Sequence, residues 1–200
     1  MKTYKILKFI LPFLFACFFL QSLQGCAAVA VGAIAAGAAG TTTIIATDPR
    51  SSGVIVDDNT TETKLHLNFS QNLSDANIYV NSYNGVVLLS GQAPTEATKS
   101  KAGFTTKAMP GVKQLYNYLD VRLPQSYVAR SEDTFTTAQV RAKILSLKGV
   151  SSNNIKVITT NSVVYLLGVL SVDQAKQVAN VAAKTNGVSK VVTLFEYVSN

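Results

Sequence analysis

Side chains that carry catalysis or bind metal ions are scarce in this 200-residue chain. It contains one histidine, His66, and two cysteines, Cys17 and Cys26, and it has no tryptophan. Zinc sites and disulfide frameworks need more such ligands, and a nucleophile needs a general base within hydrogen-bond reach. The adjacent Asp57 and Asp58 predict a turn or a helix cap, because neighbours on an extended chain point apart and cannot share a proton. The composition therefore predicts a protein that is not an enzyme and that needs no metal or cofactor.

Charged residues are also few, at 14% of the chain, whereas 48% of the residues are hydrophobic. This apolar content is sufficient for a packed core and excludes wholesale disorder. Lysine and arginine number 18 against 11 acids, but three of the lysines lie in residues 1–25, where there is no acid. The rest of the chain has only a small basic excess, which is not the clustered charge of a typical nucleic-acid-binding protein. We expect no nucleic-acid partner.

Residues 1–25 have the pattern of a bacterial export signal. Lys2, Lys5 and Lys8 give a positive start, residues 6–20 are strongly apolar, and the sequence Leu-Gln-Gly-Cys follows, ending at Cys26. This order resembles a lipobox, whose cysteine receives diacylglycerol before the signal is removed. It predicts a signal peptide over residues 1–25 and an acylated Cys26 that anchors the mature chain. The alternative is an uncleaved anchor helix with an incidental cysteine.

The residue after the predicted acylation site also carries information. It is Ala27 and not aspartate, and similarity to Gram-negative lipoproteins then implies the outer membrane, with the protein facing the periplasm. Residues 27–47 are uncharged and rich in alanine, glycine and threonine. Their length would suit a membrane-spanning helix, but glycine weakens a helix, and alanine and glycine are poorly hydrophobic. We interpret residues 26–47 as the acylated cysteine and a tether; membrane insertion or self-association through small residues is the alternative.

The remainder of the chain is an internal repeat. Residues 77–80 match residues 154–157, and residues 85–91 match residues 162–168 in the same register. Further along, Gly111-Val112 matches Gly187-Val188, with the register shifted by one position. A duplication explains these matches better than chance does. We expect the first copy, with its lead-in, over residues 48–122, a linker over residues 123–130, and the second copy over residues 131–200.

Both copies have the same predicted order of elements. A helix, over residues 60–68 or 134–147, precedes two strands whose connections contain Asn84-Gly85 or Asn161-Ser162, and Asn-Gly is a strong hairpin signal. A second helix and a third strand complete each copy. The predicted fold class is α+β, with two tandem αββαβ domains, each a three-stranded mixed sheet packed on two helices.

This arrangement resembles the BON domains of dual-BON outer-membrane lipoproteins. The resemblance is carried by the lipobox, the Ala/Gly-rich segment, residues 46–51, the sequence Val56-Asp57-Asp58 and the glycines Gly91 and Gly168 that follow the second strands. It implies a non-enzymatic protein that binds anionic phospholipid membranes and supports the integrity of the cell envelope.

The resemblance also implies which element faces the membrane. In the family it is the first helix of the second copy, and Phe135, Val140, Arg141 and Leu145 match the contact positions. The surrounding charges agree: Arg130, Arg141, Lys143 and Lys148 outnumber Glu132 and Asp133. Each cation near an anionic surface contributes about 1 kcal/mol. The alternative is that the apolar residues are core and that the cations form a solvated face.

A different functional hypothesis is a periplasmic adaptor. The first copy has a shorter and less basic first helix, and it could contact proteins of the outer-membrane assembly machinery. A peptidoglycan or small-ligand binder is a further alternative, although we identify no aromatic platform for a sugar in the sequence.

Overall fold

The predicted αββαβ order occurs twice in residues 48–198, which are the residues that the computed structural model describes. The first domain consists of α1 (Ser52–Asn72), β1 (Asn77–Tyr83), β2 (Val86–Ala93), α2 (Glu96–Lys107) and β3 (Gln114–Val121). The second consists of α3 (Tyr127–Leu145), β4 (Ile155–Thr160), β5 (Val163–Leu170), α4 (Val172–Ala183) and β6 (Lys190–Tyr197), with a short 3-10 turn, Ser152–Asn154, before β4. The predicted signal peptide, the predicted acylation site Cys26 and the predicted tether lie outside the described residues.

The first helix of each domain is longer than the sequence pattern predicted. Helix α1 begins at Ser52, and α3 begins at Tyr127, inside the stretch that we expected to be a linker. A serine precedes each helix, and its hydroxyl accepts a hydrogen bond from the third backbone N–H that follows, at 3.3 Å in both Ser51 and Ser126. Serine at this position satisfies an otherwise unpaired N–H group at the helix start. The two serines therefore explain the early starts.

Each sheet has three strands, with the second strand of the domain in the centre. The first two strands are antiparallel, and the third runs parallel to the central strand after the helical crossover. The hairpin turns place both of their central residues at positive φ: 55° and 80° at Asn84 and Gly85, and 54° and 61° at Asn161 and Ser162. Asparagine and glycine tolerate this conformation best, which is why the Asn-Gly pair predicted the hairpin.

The duplication extends to the buried stripe of the first helices. When the two helices are aligned on their aspartates, each of four buried residues of α1 has a buried counterpart in α3: Asp58 and Asp133, Thr61 and Thr136, Leu65 and Val140, Phe69 and Ile144. The spacing of three, four and four places each set on one side of a helix. The apolar members pack against the sheet of their own domain, in two separate hydrophobic clusters. Each domain therefore has its own core.

The buried aspartates hold the hairpin turns. The carboxylate of Asp58 accepts hydrogen bonds from the backbone N–H groups of Asn84 at 2.7 Å and Gly85 at 2.9 Å. In the second domain, Asp133 accepts from Asn161 at 2.9 Å and Ser162 at 2.8 Å. Hydrogen bonds to a charged group are stronger than neutral ones. Each aspartate thus fixes its hairpin to its helix.

The two sheets pack on each other through the faces that carry no helix. A third hydrophobic cluster joins residues of both domains: Tyr83 and Leu88 from the first, and Tyr165, Leu167 and Leu194 from the second. Polar contacts cross the same boundary, including Thr160 to Ser90 at 3.1 Å and an ion pair between Lys156 and Glu62. The order of layers is helices, sheet, sheet, helices. All three clusters lie within one compact unit, Ile44–Asn200, so a fragment of residues 44–200 contains both domains and the contact between their sheets.

We predict that Asp133→Asn lowers the free energy of unfolding of fragment 44–200 by about 2–3 kcal/mol. The two turn N–H groups bind different carboxylate oxygens of Asp133, and an amide is uncharged and has only one oxygen to accept them. Asp173→Asn serves as the control, since Asp173 makes only an exposed ion pair with Lys176, at 3.8 Å, and such pairs contribute little. Urea unfolding measures both. Equal stability of the two variants would contradict the role of the buried aspartate.

Two interface tyrosines predict a loss of stability at alkaline pH. Burial, followed by the charge of Asp48, raises the pKa of Tyr83 from 10.0 to about 12. Burial, followed by the charges of Asp120 and Tyr118, raises the pKa of Tyr165 from 10.0 to about 12. Each tyrosine therefore ionises near pH 10 in the unfolded chain but only near pH 12 in the folded protein. The folded state keeps its full stability below pH 10 and loses stability as the pH rises towards 12.

The expected loss is about 2–3 kcal/mol for each tyrosine. Urea unfolding of fragment 44–200 across this pH range measures it, with Tyr165→Phe as the comparison. The variant should lose less stability than the parent over the same range, and an identical pH dependence in both would exclude Tyr165 as a source.

Candidate functional site

Helix α3 presents an apolar stripe on the side opposite its core residues. Phe135, Ala138, Ala142 and Leu145 are all exposed and follow one another at intervals of three, four and three positions, so they line one side of the helix. Phe135 and Leu145 are large, and 66% and 67% of their surfaces are exposed. Scattered exposed apolar residues are ordinary, but a continuous stripe on one helix indicates a contact surface.

Two further apolar residues extend this stripe towards the start of the helix. Val128 lies two helical turns before Phe135 and is 69% exposed, and Tyr127 is 81% exposed. Sequence reasoning missed both, because residues 123–130 were assigned to a linker. The signal that would have found them is the capping residue Ser126 together with the two-turn spacing. We call the set Tyr127, Val128, Phe135, Ala138, Ala142 and Leu145 the α3 surface.

Val140, one of the four predicted contact residues, does not belong to this surface. Its side chain is completely buried in the core of the second domain, as is that of its counterpart Leu65 in the first. A side chain with no exposed area cannot touch a membrane while the domain is folded, so the assignment of Val140 is corrected to a core residue. Phe135, Arg141 and Leu145 are exposed on α3 and remain available.

Cations accompany the α3 surface. Arg141 is exposed one turn before Leu145, Lys143 lies in the last turn of the helix, and Lys148 follows the helix. Lys143 donates to the carbonyl oxygen of Lys184 at 3.3 Å, and none of the ion pairs within residues 48–198 involves these three cations. The positive charge at the C-terminal half of α3 is therefore not neutralised by a neighbouring carboxylate.

A cleft of about 510 Å³ lies beside Phe135, between α3 and the turn after α4. Its walls include Val128, Gln139 and Gly187. Gly187 has a φ of +84°, and a side chain there would lie 2.8 Å from the hydroxyl of Thr136. Only glycine allows this close approach of the turn to the helix. Phe135 therefore lines a partly enclosed cleft whose surface is mostly apolar.

The first domain carries no equivalent surface on its first helix. In the alignment that pairs Asp58 with Asp133, Phe135 corresponds to Thr60 and Arg141 corresponds to His66, and both are exposed on α1. The only histidine thus occupies a helix surface position. Within residues 48–198, no group of three or more acidic, histidine or cysteine side chains is placed to hold a metal ion. No helix in this described part of the chain is both long enough and apolar enough to cross a membrane.

The chain reaches the first domain through a charged cluster. The Arg50 guanidinium pairs with Asp48 and with Asp58, at 2.8 Å each, and lies 3.9 Å from the centre of the Tyr83 ring. Burial alone would raise the pKa of Asp48, but hydrogen bonds from Arg50 and its charge more than offset this, and the pKa is lowered. The start of the described chain is therefore fixed at Tyr83, in the contact between the two sheets.

Two tandem αββαβ domains, each with such a hairpin, are the architecture of proteins with paired BON domains. The BON domain family model matches residues 56–122 and 132–199, so the chain belongs to the BON domain family. It is 36% identical to the protein named outer membrane lipoprotein DolP of Haemophilus influenzae, over 88% of this chain and 90% of that protein.

Two further relatives support the same family. The chain is 37% identical to the 21 kDa hemolysin of Actinobacillus pleuropneumoniae, over 76% of this chain and 79% of that protein. It is 32% identical to the osmotically-inducible protein Y of Escherichia coli, over 70% of this chain and 72% of that protein. The tandem-BON architecture expected from the sequence is confirmed.

The distinction between core and surface on α3 can be tested by stability. We expect Val140→Ala to lower the free energy of unfolding of fragment 44–200 by about 2 kcal/mol, because it removes two buried methyl groups and leaves a cavity. Phe135→Ser, at an exposed site, should change stability by less than about 0.5 kcal/mol. Urea unfolding of the two variants decides the matter, and a reversed order would contradict the placement of both side chains.

Proposed function

We propose that this protein is an outer-membrane lipoprotein whose second BON domain binds anionic phospholipid through the α3 surface. It is anchored at Cys26, faces the periplasm and performs no catalysis. Its role is to support the integrity of the cell envelope. The observation that carries the proposal is the exposed apolar stripe of Phe135, Ala138, Ala142 and Leu145 on one side of α3, with Tyr127 and Val128 exposed near the start of the helix. The neighbouring cations make no ion pair within residues 48–198.

The apolar part of the α3 surface supports shallow insertion. A helix that lies in a membrane interface places large apolar side chains among the acyl chains and keeps its polar side in water. Burial of a phenylalanine or leucine side chain contributes about 1.5–3 kcal/mol. Phe135 and Leu145 stand on the outermost side of the helical layer, so both can enter a bilayer without any change in the domain. Tyr127 is suited to the headgroup level because its ring is apolar and its hydroxyl is polar.

The charged part supports a preference for anionic lipid. Arg141 borders the apolar stripe, and Lys143 and Lys148 lie towards the same end of α3. Arginine can donate two parallel hydrogen bonds to a phosphate group. Each cation near a negatively charged leaflet adds about 1 kcal/mol, and salt weakens this contribution.

Acylation at Cys26 would make the lipid contact of α3 intramolecular. Lipid chains on one residue hold the protein at the membrane, and residues 26–47 then connect the anchor to the folded unit. A second attachment within reach of the first has a high effective concentration, so a weak α3 contact is sufficient. The name of the Haemophilus relative, an outer membrane lipoprotein, supports this placement.

The test is co-sedimentation of fragment 44–200, which lacks Cys26, with phospholipid vesicles. We expect binding to vesicles that contain phosphatidylglycerol and not to pure phosphatidylcholine, with weaker binding at high salt. Phe135→Glu and Arg141→Glu should each weaken binding at least about tenfold, through lost insertion and reversed charge.

Thr60→Glu is the matched control, because Thr60 occupies the position of Phe135 in the first domain and the charge change is similar. It should bind like the parent fragment. Binding of the Phe135 and Arg141 variants that equals the parent would refute the proposal, as would binding of the parent to neutral and anionic vesicles alike.

A further inference from the structure

The outer side of α2, in the first domain, carries an exposed aromatic residue between two lysines. Phe104 is 78% exposed. Lys101 and Lys107 lie three positions before and three positions after it, and both are exposed. Residues at this spacing are neighbours on a helix, so the three side chains form one patch. We call Lys101, Phe104 and Lys107 the α2 surface.

The second domain shows that the fold does not require these residues. Helix α4 is the counterpart of α2 and has the same length, 12 residues. The residues that match the α2 surface are Gln177, Asn180 and Ala183, which are also exposed. The same helix position is therefore neutral and largely polar in one copy, but basic and aromatic in the other. The fold therefore does not require the basic and aromatic residues of the α2 surface, and all three are exposed and available for a contact.

The charge of this region is not compensated within the described chain. None of the ion pairs in residues 48–198 includes a lysine of α2, and the one acid of that helix, Glu96, lies in its first turn. Lys113, just after α2, makes a long hydrogen bond of 3.4 Å to the neutral side chain of Asn84. An anionic partner would therefore complement the charge of the α2 surface.

We propose that the α2 surface is a second contact surface for anionic phospholipid. A protein partner would normally meet a centre of several packed anchor residues within a contact of about 800 Å². Here the large apolar residue is Phe104 alone, surrounded by lysines and by the small residues Ala97, Ser100 and Ala108. One ring at the acyl boundary, with lysines reaching up to phosphate groups, fits a lipid surface.

The α2 surface faces away from the α3 surface. The helices of the first domain and those of the second form the two outer layers, with both sheets between them. The α2 and α3 surfaces therefore belong to opposite layers and can contact two separate membranes at once. Arg50, near the start of the described chain, lies against Tyr83 in the middle of the layers, so the point of attachment favours neither outer layer.

The experiment measures binding and vesicle clustering together. Fragment 44–200 is mixed with vesicles of phosphatidylcholine and phosphatidylglycerol, and clustering is followed by light scattering while binding is followed by co-sedimentation. The test variant is Lys101→Gln with Phe104→Asn and Lys107→Ala, which introduces the residues that α4 carries, so the helix should fold. The control is Lys64→Gln with Leu67→Asn, which removes a cation and an exposed apolar residue from α1.

We expect the parent and the control to cluster anionic vesicles. The α2 variant should remain bound through α3 but should cluster vesicles at least about tenfold less, since two lysines and the ring contribute to one contact. Binding of the parent without clustering, or undiminished clustering by the α2 variant, would overturn the proposal and leave the α3 proposal intact. Absence of any binding by the parent would overturn both.

Two other outcomes would distinguish binding through α2 from binding through α3, and a lipid partner from a second copy of this chain. If the α2 variant loses all binding while Phe135→Glu binds like the parent, the α2 proposal holds and the α3 proposal fails. If sedimentation equilibrium without lipid shows a dimer that only the α2 variant disrupts, the surface binds a second copy of this chain, and a lipid partner is excluded.

Discussion

The central strand of each sheet carries buried apolar residues on both faces, and this constraint determines how the two domains are arranged. In β2, Val87 and Leu89 point to the helices, whereas Leu88 points to the other domain. Each described domain has two α-helices, and both pack on the same face of its sheet. The second face needs another apolar surface, because exposing it to water would sacrifice a large part of the hydrophobic stabilisation. The duplicated domain provides that surface.

Because the sheets cover each other, the outer sides of the helices are left exposed. Once both sheets are covered, the outer sides of the four helices form the two broad surfaces of the folded unit. Residues there can differ between the two copies without disturbing the core, as Thr60 and Phe135 illustrate. The buried aspartates have the complementary structural role. Asp58 and Asp133 stay the same in both copies because they hold the hairpins that line the contact between the sheets.

The sequence was sufficient to predict the repeat, the order of elements and the fold class, because hairpin turns and helix stops have local signatures. The starts of α1 and α3 were predicted too late, since a serine cap gives a weaker signal than a glycine or proline. Val140 was predicted to contact the membrane because resemblance to a family indicates which helix is involved. It does not indicate as readily which side of that helix faces outward. Alignment of the two copies on their buried aspartates pairs Val140 with Leu65 and would have placed it in the core. The contact between the sheets depends on packing over long distances, and no local pattern predicted it.

The central claim is that the outward side of α3 enters an anionic membrane. Residues 44–200 contain no cysteine, so Ala138→Cys introduces a single site for a polarity-sensitive dye on the α3 surface while Phe135 and Arg141 remain in place. We expect a blue shift of the dye and protection from a water-soluble quencher when phosphatidylglycerol vesicles are added, and neither change with phosphatidylcholine alone. A dye that stays in water while the fragment sediments with the anionic vesicles would contradict the account.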